Sequence, residues 1–145
     1  MSHTCMVAFV LAAGFVMSCQ PPARTGDPAA AFRSAAAGEW VLVELFGEPA
    51  PAGAGGRPAT LIFEADSSHA GGFAGCNRYG GSYTVTGDSL RFSPLIMTKM
   101  ACSEGMTLEQ RLAEALDSTR RYELGAGRLT LHGGSGKVAR FERRR

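Results

Sequence analysis

From Glu39 onward, short apolar runs alternate with polar residues and are interrupted by glycine, proline and aspartate, the texture of an antiparallel β domain. Strands are predicted over 39–46 and 59–63, joined by a Pro- and Gly-rich loop at 47–58, with a third over 71–76. The clearest hairpin joins 82–85 to 89–92 across Thr86-Gly87-Asp88, with Tyr83 and Val85 alternating on one arm and Leu90 and Phe92 on the other. A further strand is expected over 96–101. Thr107 then opens a helix, because its hydroxyl can cap the first turn while Gln110 reciprocates three residues later. Leu108, Leu112 and Leu116 recur every four residues on one face of that helix, and Trp40 is expected to share a core with them. Three short strands follow, over 121–124, 129–131 and 138–141, linked by glycine-rich turns.

The first 38 residues read differently. Met6 to Met17 is an unbroken apolar or glycine run of twelve residues, and no Asp, Glu, Lys or Arg occurs before Cys19. A bilayer-spanning helix needs about 20 apolar residues, so this run has the length of a signal-peptide core, and residues 1–18 are assigned as a signal peptide. It ends in Val16-Met17-Ser18-Cys19, which resembles the lipobox of bacterial lipoproteins and makes Cys19 the expected site of lipid attachment. Residues 19–38 are rich in Pro, Ala and small polar side chains without hydrophobic periodicity, and are read as a tether reaching roughly 60 Å when fully extended, with a transient helix in the Ala-rich part as the alternative. The expectation is a membrane-anchored lipoprotein of the cell envelope facing the periplasm. The outer membrane is preferred, because Gln20 rather than aspartate follows the cysteine.

Length and charge narrow the picture. A chain of 145 residues accommodates one domain, 39–145, after its targeting segment. Its 15 basic and 13 acidic residues are dispersed along the chain and form no electrostatic footprint for nucleic acid. Of four cysteines, Cys5 leaves with the signal peptide and Cys19 takes the lipid, which leaves Cys76 and Cys102 to form a disulfide in an oxidising compartment.

Taken together, Trp40 with Leu42 and Gly47, the 60–63 strand, Gly72-Phe73-Ala74-Gly75-Cys76-Asn77-Arg78-Tyr79, Gly81-Ser82-Tyr83, Thr98-Lys99-Met100-Ala101-Cys102, Met106 with Glu109, and Leu129 to Leu131 with Phe141 resemble the META domain, or HslJ-like, family. The resemblance covers about 100 residues, and its most specific parts are the G-x-x-G-C-N and M-A-C blocks. It implies an α+β, mostly β fold: a small antiparallel β barrel or curved sheet, here of about 7 to 8 strands, with one helix. It also implies pairing of the two cysteines and residence in the envelope for many members, but no settled activity.

Candidate chemistry is sparse. A nucleophilic thiol or a zinc site drawn from Cys76, Cys102, His69 and His132 has suitable residue types but lacks the close ligand spacing of structural zinc sites. Gly53 to Gly56 lacks the Lys-Ser or Lys-Thr of a phosphate loop and reads as a flexible connection. Asn77, Arg78 and Tyr79 invite a ligand-binding reading, although Asn77 suits a tight turn better. The arginines 143–145 are read as solvated, with contact to anionic lipid as the alternative. No cofactor and no metal are expected. The function expected is a non-enzymatic binding or stress-related envelope module. Its partners would be the membrane, through the lipid, and a protein or cell-wall component. The alternatives are an envelope hydrolase using carboxylates such as Glu64, Asp66 and Glu104, and an inhibitor of such a hydrolase.

Overall fold

The computed structural model describes residues 26–145, so the signal-like run and Cys19 lie outside the described residues. Ten strands are present: β1 (Gly38–Leu45), β2 (Glu48–Pro49), β3 (Thr60–Phe63), β4 (His69–Phe73), β5 (Arg78–Thr86), β6 (Ser89–Phe92), β7 (Ile96–Met97), β8 (Arg121–Gly125), β9 (Arg128–Gly133) and β10 (Gly136–Arg143). Two helices accompany them, α1 (Pro28–Ala36) and α2 (Met106–Ser118). Eight strands form an antiparallel circuit, β1-β3-β4-β5-β6-β8-β9-β10, which β10 closes by pairing with β1 from Trp40↔Arg143 to Leu45↔Ala139. Closure removes the unpaired edges that an open sheet of this size would present. The short strands β2 and β7 hang on β1 and β5.

Side-chain alternation fills the barrel. Trp40 and Leu42 point inward from β1, then a register shift between Leu42 and Glu44 changes the phase so that Leu45 takes the next core position. The shift leaves Glu44 on the outer wall, where Lys137 and Arg140 meet it. A hydrogen bond from Lys137, aided by both cations, holds its carboxyl below the usual carboxylate range. Trp40, Leu61, Phe63, Leu129, Leu131 and Phe141 are all fully buried in the core.

The hairpin expected at 82–92 is present and longer. Thr86 pairs with Ser89, which reduces the connection to Gly87-Asp88, with Gly87 at φ +60°. β5 begins at Arg78 rather than at residue 82, because Gly80 and Gly81, which read as a break in sequence, pair with Gly71 and Ala70 of β4. A Cβ on Gly71 would lie 2.6 Å from the carbonyl oxygen of Tyr79, so glycine serves close strand approach here and not a turn. The strand expected over 96–101 shrinks to Ile96–Met97, and that expected over 71–76 lies at His69–Phe73.

The tether assignment is corrected by α1. Asp27 caps it by accepting from the Ala29 amide at 3.0 Å, Pro28 occupies the first turn, and the side chain of Phe32 is buried. Phe32 packs edge-on against Phe63, Tyr83 and Tyr122 at centroid distances of 5.2, 5.6 and 4.6 Å. The end of α1 is fastened as well. Trp40 Nε1 donates to the Ala36 carbonyl at 2.7 Å, and the Arg143 guanidinium donates to the carbonyls of Ala35 and Ala37 while lying 4.4 Å over the Trp40 ring. Arg143 is therefore a structural clamp and not a solvated terminal arginine.

The second helix carries the predicted stripe, with Leu108, Leu112 and Leu116 buried. Its start differs from the expected Thr107–Gln110 capping box. Gly105, at φ +88°, is the N-cap, and no side chain caps the helix. Chain crowding selects this glycine: a Cβ on Gly105 would lie 2.1 Å from the Gly75 oxygen. Helix α2 reaches Phe46 through Arg111 and Gly133 through Ser118, at the Leu45 end of β1, whereas α1 is fastened at the Gly38 end.

Candidate functional site

The segment between β6 and α2 concentrates what is unusual on this surface. Ile96, Met100 and Met106 are the exposed large hydrophobic side chains among the described residues, at 81%, 59% and 41% exposure. All three fall within one stretch of chain, 96–106. Scattered surface apolar groups need no explanation, whereas a contiguous patch of them is the kind of surface that partners use.

Four attachments fix this segment. Ile96 and Met97 pair with Gly80 and Tyr79 of β5. Thr98 donates its amide to the Arg78 carbonyl at 3.1 Å and accepts the Arg78 amide on Oγ1 at 3.2 Å. Cys76 and Cys102 form the expected disulfide, with Cα atoms 5.9 Å apart and an S–S distance of 2.02 Å. The fourth attachment is Asn77. Its Oδ1 accepts from the Met100 amide at 2.7 Å and from Thr98 Oγ1 at 3.0 Å, and its Nδ2 donates to the Met100 carbonyl at 3.1 Å.

Asn77 also faces the helix. Its Nδ2 donates to Glu109 Oε1 at 3.1 Å and its backbone amide to Glu109 Oε2 at 2.6 Å. With every side-chain donor and acceptor engaged and only 2% of its surface exposed, Asn77 is a buried polar node. As expected from sequence, Asn77 lies in the tight β4–β5 connection, its carbonyl accepting from the Ala74 amide at 2.8 Å, but the positive φ there belongs to Gly75, at +124°. Tyr79, next in the motif but one, is also structural. Its hydroxyl donates to the Thr60 carbonyl at 2.8 Å, and burial pushes its phenol far above the usual range. Arg78 alone of the three turns outward and is exposed.

Three glycines complete the support. The Ala54 amide donates to the Gly75 carbonyl at 2.6 Å, and a Cβ on Gly53 or Gly105 would lie 2.4 or 2.1 Å from that same oxygen. The Gly53 to Gly56 stretch is thus a packing junction beside the disulfide. Sequence reasoning missed this junction, because its three members are separated by 22 and 30 residues.

The other candidates do not converge. The disulfide removes both thiolates from nucleophilic or zinc chemistry. His69 on β4 meets Glu64 at 3.2 Å, and His132 on β9 meets Glu123 at 3.3 Å. Ser67 donates to the same Glu64 at 2.6 Å. The carboxylate therefore sits between hydroxyl and imidazole, whereas a nucleophilic triad needs the imidazole between them. Asp66 and Glu104 are exposed.

A closed eight-stranded antiparallel barrel with a helix at each end, and an apolar loop pinned by a disulfide and a buried asparagine, defines a small β-barrel scaffold. The chain belongs to the META domain family, whose model matches residues 33–145. No protein among the curated sequences matches it. Among solved structures, the chain is similar to a protein from Burkholderia xenovorans determined by NMR, with 26% identity, a TM-score of 0.64, and coverage of 99% of this chain and 98% of that one. A second NMR structure shares 23% identity at a TM-score of 0.58, covering 74% and 89%. The crystal structure of a DUF4847 family protein from Bacteroides vulgatus shares 16% identity at a TM-score of 0.54, covering 77% and 96%, a likeness of fold alone.

Proposed function

We propose that this protein is a lipid-anchored, non-enzymatic binding module of the cell envelope, with its META domain facing the periplasm and engaging a protein partner through the 96–106 loop. The observation that carries the reading is the loop itself: exposed Ile96, Met100 and Met106 on a backbone held by the Cys76–Cys102 bond and by Asn77. A backbone already held in place avoids the cost of ordering the loop on binding, which favours affinity from a small contact. Methionine adds a polarizable, adaptable surface. The reversed order of Ser67, Glu64 and His69 supports the non-enzymatic reading over a hydrolase.

Lipid attachment at Cys19 rests on the lipobox-like Val16-Met17-Ser18-Cys19. With α1 folded from Pro28, the connection from Cys19 to Asp27 would reach at most roughly 26 Å at about 3.3 Å per residue, which would keep the domain close to the membrane. Detergent partitioning of the wild type and Cys19→Ala tests the anchor: the wild type enters the detergent phase and the variant leaves it. Equal partitioning of the two would remove the anchor from this account.

A further inference from the structure

Arg78 is the exposed member of the motif that pins the loop, and it lines three adjoining concavities of about 180, 340 and 360 Å³ on the outer wall of the barrel. The first two share His69 and Tyr79, and the first and third share Ile62, so together they form one shallow trough. Its floor crosses the pair Gly71↔Gly80, neither of which carries a side chain, and the His69 imidazole lies over Gly80, 3.2 Å from where a Cβ would stand. Ile96 lies at one end of the trough. Phe73 lies at the other, with the Arg57 guanidinium stacked 4.0 Å above its ring.

The charges along the trough are unequally satisfied. Glu39 is paired with Arg144 at 3.2 Å and Glu64 with His69 at 3.2 Å. Arg57 and Arg78 have no carboxylate partner among the described residues. Guanidinium groups are weakly hydrated, planar and suited to forked contact with carboxylates, and stacking on Phe73 fixes one of them in place.

We propose that this trough binds an acidic peptide segment in extended conformation, with Arg78 and Arg57 receiving carboxylates and with Ile62, Phe73 and Ile96 contacting apolar side chains between them. An extended chain presents every second side chain to one face, so a segment with acidic and apolar residues two apart offers both kinds to the cationic and apolar stations of the trough. A flat anionic bilayer would not enter it. The trough meets the apolar loop at Ile96, Met97 and Thr98, so the two readings are separated by Arg57 and Arg78, which belong to the trough, and by Met100 and Met106, which lie outside its lining.

The test is fluorescence anisotropy of the purified full chain with a labelled peptide repeating Glu-Ser-Val-Ser (the Glu-Val peptide), which presents Glu and Val in turn on one face, against its Gln-Ser-Val-Ser counterpart (the Gln-Val peptide) and against vesicles containing phosphatidylglycerol. The expected result is saturable binding of the Glu-Val peptide alone, weakened about ten-fold or more by Arg78→Gln and by Arg57→Gln. Arg128→Gln, on a strand outside the trough, should leave it unchanged. Should Arg78→Gln fail to fold, Arg78→Lys keeps the charge, removes the fork and is expected to weaken binding in the same direction. Equal binding of the Gln-Val peptide, indifference to both arginine substitutions, or Arg78-dependent binding to vesicles without peptide binding would each overturn the proposal.

Discussion

Asn77 and Glu109, 32 residues apart in sequence, meet in a two-point contact in which one carboxylate accepts both the backbone amide and the side-chain amide of the asparagine, at 2.6 and 3.1 Å. The contact ties the first turn of α2 to the β4–β5 connection, while the other edge of Asn77 holds Met100. Glu109 thus positions the exposed loop through a single intermediary.

Glu109→Gln keeps the shape of that contact and spoils it, because one of the two acceptors becomes an amide donor facing a donor. Leaving a buried hydrogen-bonding group unpaired costs about 1 to 3 kcal/mol, so the midpoint of urea unfolding should fall by a corresponding amount. A change below about 0.5 kcal/mol would show that Glu109 contributes little to the node.

The disulfide closes a loop with a sequence separation of 26. The chain-entropy relation gives roughly 3.5 kcal/mol for a loop of that size. The double substitution Cys76→Ser with Cys102→Ser should lose a comparable part of the unfolding free energy and raise hydrogen exchange over 98–104. If exchange in that segment is unchanged, Asn77 alone suffices to hold the loop.

Phe32→Ala tests whether α1 belongs to the folded unit. Removing a buried phenylalanine costs about 3 to 5 kcal/mol, and here it also removes three aromatic contacts. Denaturant unfolding of the full chain should show a loss of that size, whereas a loss below about 0.5 kcal/mol would return residues 28–36 to the status of tether.

Tyr79 gives a pH signature. Burial raises its phenol pKa in the folded state, so the folded chain retains a proton that the unfolded chain releases above its ordinary pKa of about 10. The associated stability is present in full below about pH 10 and is lost as pH rises further, at up to about 1.4 kcal/mol per pH unit. Tyr79→Phe should lower stability at neutral pH by about 1 kcal/mol, because the Thr60 carbonyl loses its donor, and should flatten the alkaline decline. Parallel declines for both proteins above pH 10 would contradict the assignment.

Much of the barrel was legible because its signals are local. The alternation of Tyr83, Val85, Leu90 and Phe92 fixed the hairpin, the four-residue recurrence of Leu108, Leu112 and Leu116 fixed the face of α2, and the cysteine count fixed the disulfide. What sequence reading missed depends on long-range contact. Phe32 in an alanine-rich segment gives no periodic signal, and its partners lie at 63, 83 and 122. Gly80 and Gly81 lie outside the expected strands until β4 and β5 are seen to pair across them. Asn77 reads as a turn former until Glu109 and Met100 are placed on either side of it. For the candidate site, Met100 and Met106 were visible as residues of a motif, but their exposure follows from the tertiary pinning of the loop.

The most direct test of the central claim is photo-crosslinking in the native envelope, from a reactive residue placed in turn at positions 96, 100 and 84 of the full chain. Positions 96 and 100 lie in the apolar loop, and Thr84 is an exposed control on β5. The account predicts one shared adduct from 96 and 100, none from 84, and loss of the adduct when Cys76→Ser with Cys102→Ser releases the loop. Equal labelling from all three positions, or no adduct from the loop, would contradict it.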